Sequence, residues 1–121
     1  MTQLANNYNL EERTAVFGEN VIRFCRGIKQ DTITLPLVSQ LIRSATSIGA
    51  NYMEANAASS RKDFRNKISI CKKEARETKY WLEIIAKANE ESKEEARKLW
   101  KEAHELTLIF SKIILTMENK G

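Results

Sequence analysis

The sequence has few of the residues that break helices. Its 121 residues include four glycines and one proline. That scarcity leaves no punctuation for many short strands and favours long helices with short connections. Cysteine is nearly absent: Cys25 and Cys71 stand far apart, on or beside apolar positions. Buried reduced thiols are expected there, not a disulfide framework. The single histidine, His104, lacks a ligand partner, because Lys101 stands where a Glu-x-x-His di-iron motif carries its carboxylate. No Cys-x-x-Cys or His-Glu-x-x-His appears, which argues against the common zinc sites. No glycine-rich loop opens a helix to cradle phosphate. Glu54 has no second carboxylate at helical spacing on its own helix, as paired acid–base work would require. The expectation is a non-enzymatic protein with no catalytic, cofactor or metal residues.

Long apolar runs are missing too. The longest candidate, LTLIFSKIIL at 106–115, is interrupted by Ser111 and Lys112. It falls short of the ~18 apolar residues that span a bilayer. The start, MTQLANNYNLEE, has neither a basic segment nor an apolar run, so no secretory signal is expected. A cytoplasmic protein with no membrane partner follows as the expectation.

What the chain does have is helical periodicity. Hydrophobic residues make up 42% and charged residues 30%, enough for a core and too balanced for a disordered chain. Phe17, Val21, Phe24 and Ile28 make one stripe, with Thr14 a turn earlier, over a first helix from about Leu10 to Ile28. A second helix starts near Pro36, with Leu37, Leu41, Ala45, Ile48, Tyr52 and Ala55 inward. A third opens at Ser59 or Ser60, with Asp63 completing a capping-box pattern, and buries Phe64, Ile68, Cys71, Ala75, Thr78, Leu82 and Ile85. A fourth follows Ser92, with Glu95 as the capping-box acid, and buries Ala96, Leu99, Ala103, Leu106, Phe110, Ile113 and Met117. Four single-striped helices with short loops define an all-α, antiparallel up-down-up-down four-helix bundle. It forms one domain over 1–121, with loose ends at about 1–9 and 119–121.

The net charge of +4 is unevenly placed. Residues 61–90 hold nine basic and five acidic groups, and the other three quarters of the chain nearly cancel. On a wheel, the third helix has Arg61, Arg65, Lys72, Arg76 and Lys79 on one flank. The other flank carries Asp63, Glu74 and Glu77 with Ile70, Trp81 and Ile84. The basic edge reads either as a solvated face with partners such as Lys73–Glu77 and Lys79–Glu83, or as a phosphate-binding stripe for RNA or DNA. No aromatic residue interleaves with it as a stacking platform would require. The second flank has more apolar surface than a monomeric bundle needs. Ile70, Glu74, Glu77, Trp81 and Ile84 are therefore candidates for a subunit interface, with head-to-tail contacts that can close into a ring. A protein–protein scaffold or accessory subunit is the competing reading of the same surface.

Two segments, SQLIRSATSIGANYMEA at 39–55 and KDFRNKISICKKEARETKYWLEII at 62–85, carry the paired motifs R-S-x-x-S-I-x-x-N-x-x-E and K-E-A-R-E-T-x-Y-W-L. They resemble the bacterial four-helix-bundle family first noticed as reading frames inside intervening sequences of 23S ribosomal RNA genes. The resemblance spans roughly residues 15–117. It implies a homopentameric ring, kinship with the basic accessory protein of diversity-generating retroelements, and no established biochemical activity. The signature positions are Arg43, Ser44, Ser47, Ile48, Asn51 and Glu54 on helix two, and Glu74, Arg76, Glu77, Tyr80 and Trp81 on helix three. Many members carry glycine after the motif glutamate. Ala55 here implies a slightly longer second helix. The spacing of Arg43, Ser47, Asn51 and Glu54 predicts polar pairing along helix two and across to helix three or another subunit. Gly49, beside Ala45 on the core side, predicts a close approach by another helix.

Overall fold

The computed structural model describes residues 9–119, and four helices account for most of them: α1 (Leu10–Arg26), α2 (Thr34–Asn56), α3 (Arg61–Ala88) and α4 (Lys93–Asn119). The expected loose ends fall outside the described residues except for Asn9, which precedes α1, and Asn119, which closes α4. α3 packs extensively against both α2 and α4, α1 packs against α2, and the α1–α4 contact is the lightest.

The core is one cluster drawn from all four stripes. Phe17, Val21, Leu41, Ile48, Ile68, Leu82, Ile85, Leu106 and Phe110 are essentially inaccessible. On α2 the buried apolar residue of the first turns is Val38, beside buried Thr34, and Leu37 is only partly covered. Both cysteines are free and buried, and burial pushes the Cys25 thiol up to about 11 and the Cys71 thiol up to about 12. Neither is a nucleophile near neutrality.

The helix ends explain the boundaries. α2 starts two residues before Pro36 because Asp31 caps the turn that leads into it. Asp31 Oδ1 accepts from the N–H groups of Ile33 and Thr34, both at 2.9 Å, and Thr34 Oγ1 accepts from the Asp31 N–H at 3.0 Å. These backbone donors hold the Asp31 carboxyl below its ordinary range. α2 runs to Asn56 with Ala55 buried, as the missing glycine implied. Ser60 caps α3, its hydroxyl accepting from the Asp63 N–H at 3.0 Å. The expected Ser92–Glu95 box is replaced by something else. Ser92 ends a 3₁₀ turn (Glu90–Ser92), is buried, and donates its hydroxyl to the Asn89 carbonyl at 2.7 Å. A buried hydroxyl takes the nearest carbonyl, and the turn then enters α4 without it.

Gly49 faces α1 at close range. A Cβ there would lie 3.4 Å from Thr14 Oγ1 and 3.5 Å from the Thr14 carbonyl oxygen. One turn along the crossing, a Cβ on Gly18 would lie 3.6 Å from Thr46 Cγ2. α1 and α2 therefore meet nearly backbone to backbone. A methyl just fits, and a longer side chain would push α1 away. An interior glycine costs about 1 kcal/mol of helix propensity relative to alanine, and a methyl here would meet Thr14 at ordinary van der Waals distance, so the close approach does not by itself require glycine.

Candidate functional site

The residues singled out by spacing lie along the two seams of α3. Facing α2, Arg43 reaches across to two carboxylates: Nη1 donates to Glu74 Oε1 at 3.3 Å and Nη2 to Glu77 Oε2 at 2.7 Å. Glu54 pairs with Lys67 Nζ at 2.5 Å on the same seam. Between them, Ser47 Oγ donates to the Arg43 carbonyl at 2.7 Å and Asn51 Nδ2 to the Ser47 carbonyl at 2.8 Å. The polar edge of α2 thus pairs along its own helix and across to α3. Burial opposes ionisation of Glu77, but the hydrogen bond and charge of Arg43 outweigh it, so its pKa lies below the usual carboxylate range. The hydrogen bond to Glu77 in turn raises that of Arg43. Glu54 is a half-exposed partner of a lysine, with nothing around it that sets up acid–base work.

On the second flank of α3, Glu74 is 9% exposed and Glu77 is held by Arg43, so both acids are paired within the protomer. Ile70 is exposed, whereas Trp81 and Ile84 are partly covered. Trp81 stands edge-on to Tyr80, with centroids 5.0 Å apart. Its indole N–H is buried without a hydrogen-bond partner, although its dipole is close enough to favour the ionised form of Glu77. An unpaired buried donor is unusual in a native fold.

Facing α4, the basic edge divides. Arg61 Nη2 donates to the Met117 carbonyl at 2.7 Å, and Arg65 pairs with Glu118, so these two fasten α3 to the end of α4. Lys79 Nζ donates to His104 Nδ1 at 3.1 Å and lies 5.1 Å from the Trp100 ring centroid. Lys72 and Arg76 take part in no ion pair among the described residues. They line an open depression with Ser69, Lys73, Glu77 and Ile114. The expected Lys73–Glu77 and Lys79–Glu83 pairs do not form. Arg43 takes Glu77, and Glu83 accepts from Trp100 Nε1 at 2.8 Å.

Sequence reasoning missed the aromatic part of this seam. Trp100 and His104, one turn apart on α4, stack at 5.1 Å and 13°, and the α3–α4 register brings them against Lys79. The Trp-x-x-x-His spacing on α4 was the available signal, but a wheel of α3 alone cannot show it.

Among the described residues, no group of three or more His, Cys, Asp or Glu side chains is placed to hold a metal ion, and no helix is long and apolar enough to cross a membrane. Fold and seams together define an all-α four-helix bundle. The chain belongs to the 23S rRNA-intervening sequence protein family, whose match covers residues 7–112. A solved structure from Bacteroides thetaiotaomicron, described as a protein of unknown function from the S23 ribosomal protein family, is similar. It shares 32% identity over 86% of this chain and 96% of that one, with a TM-score of 0.76. A search of curated proteins finds no match. Neither the family nor the neighbour has a known enzymatic activity.

Proposed function

We propose that this protein is a non-enzymatic binding module that engages the phosphates of RNA or DNA along the basic edge of α3. Lys72 and Arg76 are the principal contacts; Arg61, Arg65 and Lys79 flank them. The observation that carries the reading is the separation of charge on α3. Glu74 and Glu77 are drawn to Arg43 and Glu83 to Trp100, leaving Lys72 and Arg76 without an ion-pair partner among the described residues. Anisotropy of a labelled single-stranded RNA should show affinity falling steeply from about 50 to about 200 mM salt. Lys72→Glu with Arg76→Glu should weaken binding more than about tenfold at low salt and flatten the logarithmic salt slope by about 1.4, at ~0.7 per lost phosphate contact. No binding at low salt, or an unchanged double variant, would remove the reading.

Two cations per copy bind weakly, so repetition matters. We propose that copies assemble into a ring, taken as a homopentamer, through the face bearing Ile70, Trp81 and Ile84. Trp81→Asp should then give folded monomers by multi-angle light scattering, and an intact ring would exclude this face. A protein–protein scaffold with no nucleic-acid role is the second reading. It is favoured by the exposed Ile70, Tyr80, Leu108 and Leu115, the last two spaced two turns apart on α4.

A further inference from the structure

At the far end of the α3–α4 seam lies a cleft of about 360 Å³. Its floor is apolar, formed by Leu82, Ala86 and Ala96. Trp100 walls it on one side. His104, one turn further along α4, stacks with that indole, and the cleft's other α4 residues, Lys93, Ala96 and Arg97, precede Trp100 in the chain. The bond from Trp100 Nε1 to Glu83 Oε2 fixes the ring before anything binds. Three cations, Lys87, Lys93 and Arg97, line the cleft against two carboxylates, Glu83 and Glu90. Glu83 is already committed to Trp100, and among the described residues the one ion pair at the three cations is a loose 4.0 Å contact of Arg97 with Glu94.

We infer that this cleft binds a nucleotide, with the base against Trp100 and the phosphate on Lys87, Lys93 and Arg97. The chemistry of each wall selects its part of the ligand. A fixed indole over an apolar floor favours a flat ring, and base stacking of this kind is tolerant of sequence. The cations favour a phosphate, with the arginine able to fork onto two of its oxygens. Glu90, an acceptor only, suits the hydroxyls of a ribose. The volume lies in the range of small-ligand sites. The ligand class rests on the nucleic-acid reading, since Lys79 beside Trp100 joins the cleft to the basic edge. The occupant is either a free nucleotide or one residue of a bound strand.

The test is calorimetric titration with AMP, adenosine and a 5′-phosphorylated hexa-adenylate. The cleft is altered by Trp100→Leu and by Lys93→Glu with Arg97→Glu; the edge is altered by Lys72→Glu with Arg76→Glu. Saturable AMP binding, weakened about tenfold by either cleft alteration and by loss of the phosphate in adenosine, establishes a free-nucleotide site. If only the oligonucleotide binds, and the cleft variants weaken it about tenfold, the occupant is a strand residue. Trp100→Phe keeps a stacking face and should retain most of the affinity, which guards against a misfolded leucine variant. Binding of both probes that survives every cleft alteration overturns the inference while leaving the basic edge standing. AMP binding lost in the cleft variants but RNA binding indifferent to Lys72 and Arg76 supports the cleft and removes the edge. No binding of either probe overturns both.

Discussion

Phe110→Ala is expected to lower the free energy of unfolding by about 3–5 kcal/mol, the usual range for a large aromatic removed from a packed core. The Phe110 ring is inaccessible to solvent and its centroid lies 6.2 Å from that of Tyr52, tilted by 42°, so the two rings bridge the core diagonally from α4 to α2. Helices that are already packed elsewhere cannot collapse onto the space it leaves, so the cavity adds to the lost transfer free energy. At roughly 4 °C per kcal/mol for a chain of this size, the melting temperature should fall by more than ten degrees. Urea unfolding followed by circular dichroism measures it directly. A loss below about 1 kcal/mol would mean that α2 and α4 do not pack around this ring. Phe110→Leu, which keeps most of the volume, should cost about 1 to 2 kcal/mol.

Arg43→Ala should be the most damaging change on the polar seam, at about 2 kcal/mol. Breaking a fully buried ion pair costs about 3–5 kcal/mol, because the surviving charge stays in a dry site. Here the Glu74 side chain is 12% exposed but that of Arg43 is 45% exposed, so solvent screens part of the loss. The pH dependence carries a sign. The Glu77 pKa is lowered in the folded state, so its stabilisation is present above the ordinary carboxylate value of 4.5 and is lost as pH falls through the folded value. Without Arg43 that loss on acidification should shrink, and the gap between variant and parent should narrow toward low pH. Thermal melts across a pH series, with Glu77→Gln to complete a double-mutant cycle, provide the readout. Equal melting of Arg43→Ala and parent at neutral pH would show that the seam contributes nothing, and the role of Glu54 and Asn51 would have to be sought in chemistry instead.

Much of the fold could be read from one-dimensional spacing, because each helix has a single stripe and each stripe is buried. What could not be read was the choice of partner. Lys73 stands one turn from Glu77 and a wheel pairs them, but an exposed pair of that kind is worth only a few tenths of a kcal/mol. Arg43, with a rigid fork, meets two carboxylates at once and wins. That outcome depends on the register of α2 against α3, which no single-helix pattern contains. The same holds for Trp100 and Lys79, which meet only through the register of α3 against α4. Cap chemistry was legible where the hydroxyl stays at the surface, as at Ser60, and illegible where burial redirects it, as at Ser92. Pro36 is the conspicuous helix-start signal there, yet it is the acceptor oxygen of Asp31, five residues earlier and outside the apolar stripe, that starts α2.

α1 is the shortest of the four helices and is only lightly engaged with α4. Its fastening there is Arg13, whose Nε and Nη2 donate to the two carboxylate oxygens of Glu102 at 2.7 and 2.9 Å. The core beneath that clasp includes Phe17, Phe24 and Leu99, which line a wide groove between the two helices. In the language of exchange and opening, α1 is the helix expected to leave first. Swinging α1 away disturbs the fewest contacts and leaves the α2–α3–α4 unit, with both of its seams, intact. The lowest-lying excursion from the native state would therefore uncover aromatic surface on the side away from the basic edge, and added salt, by loosening the Arg13 latch, would make it more frequent.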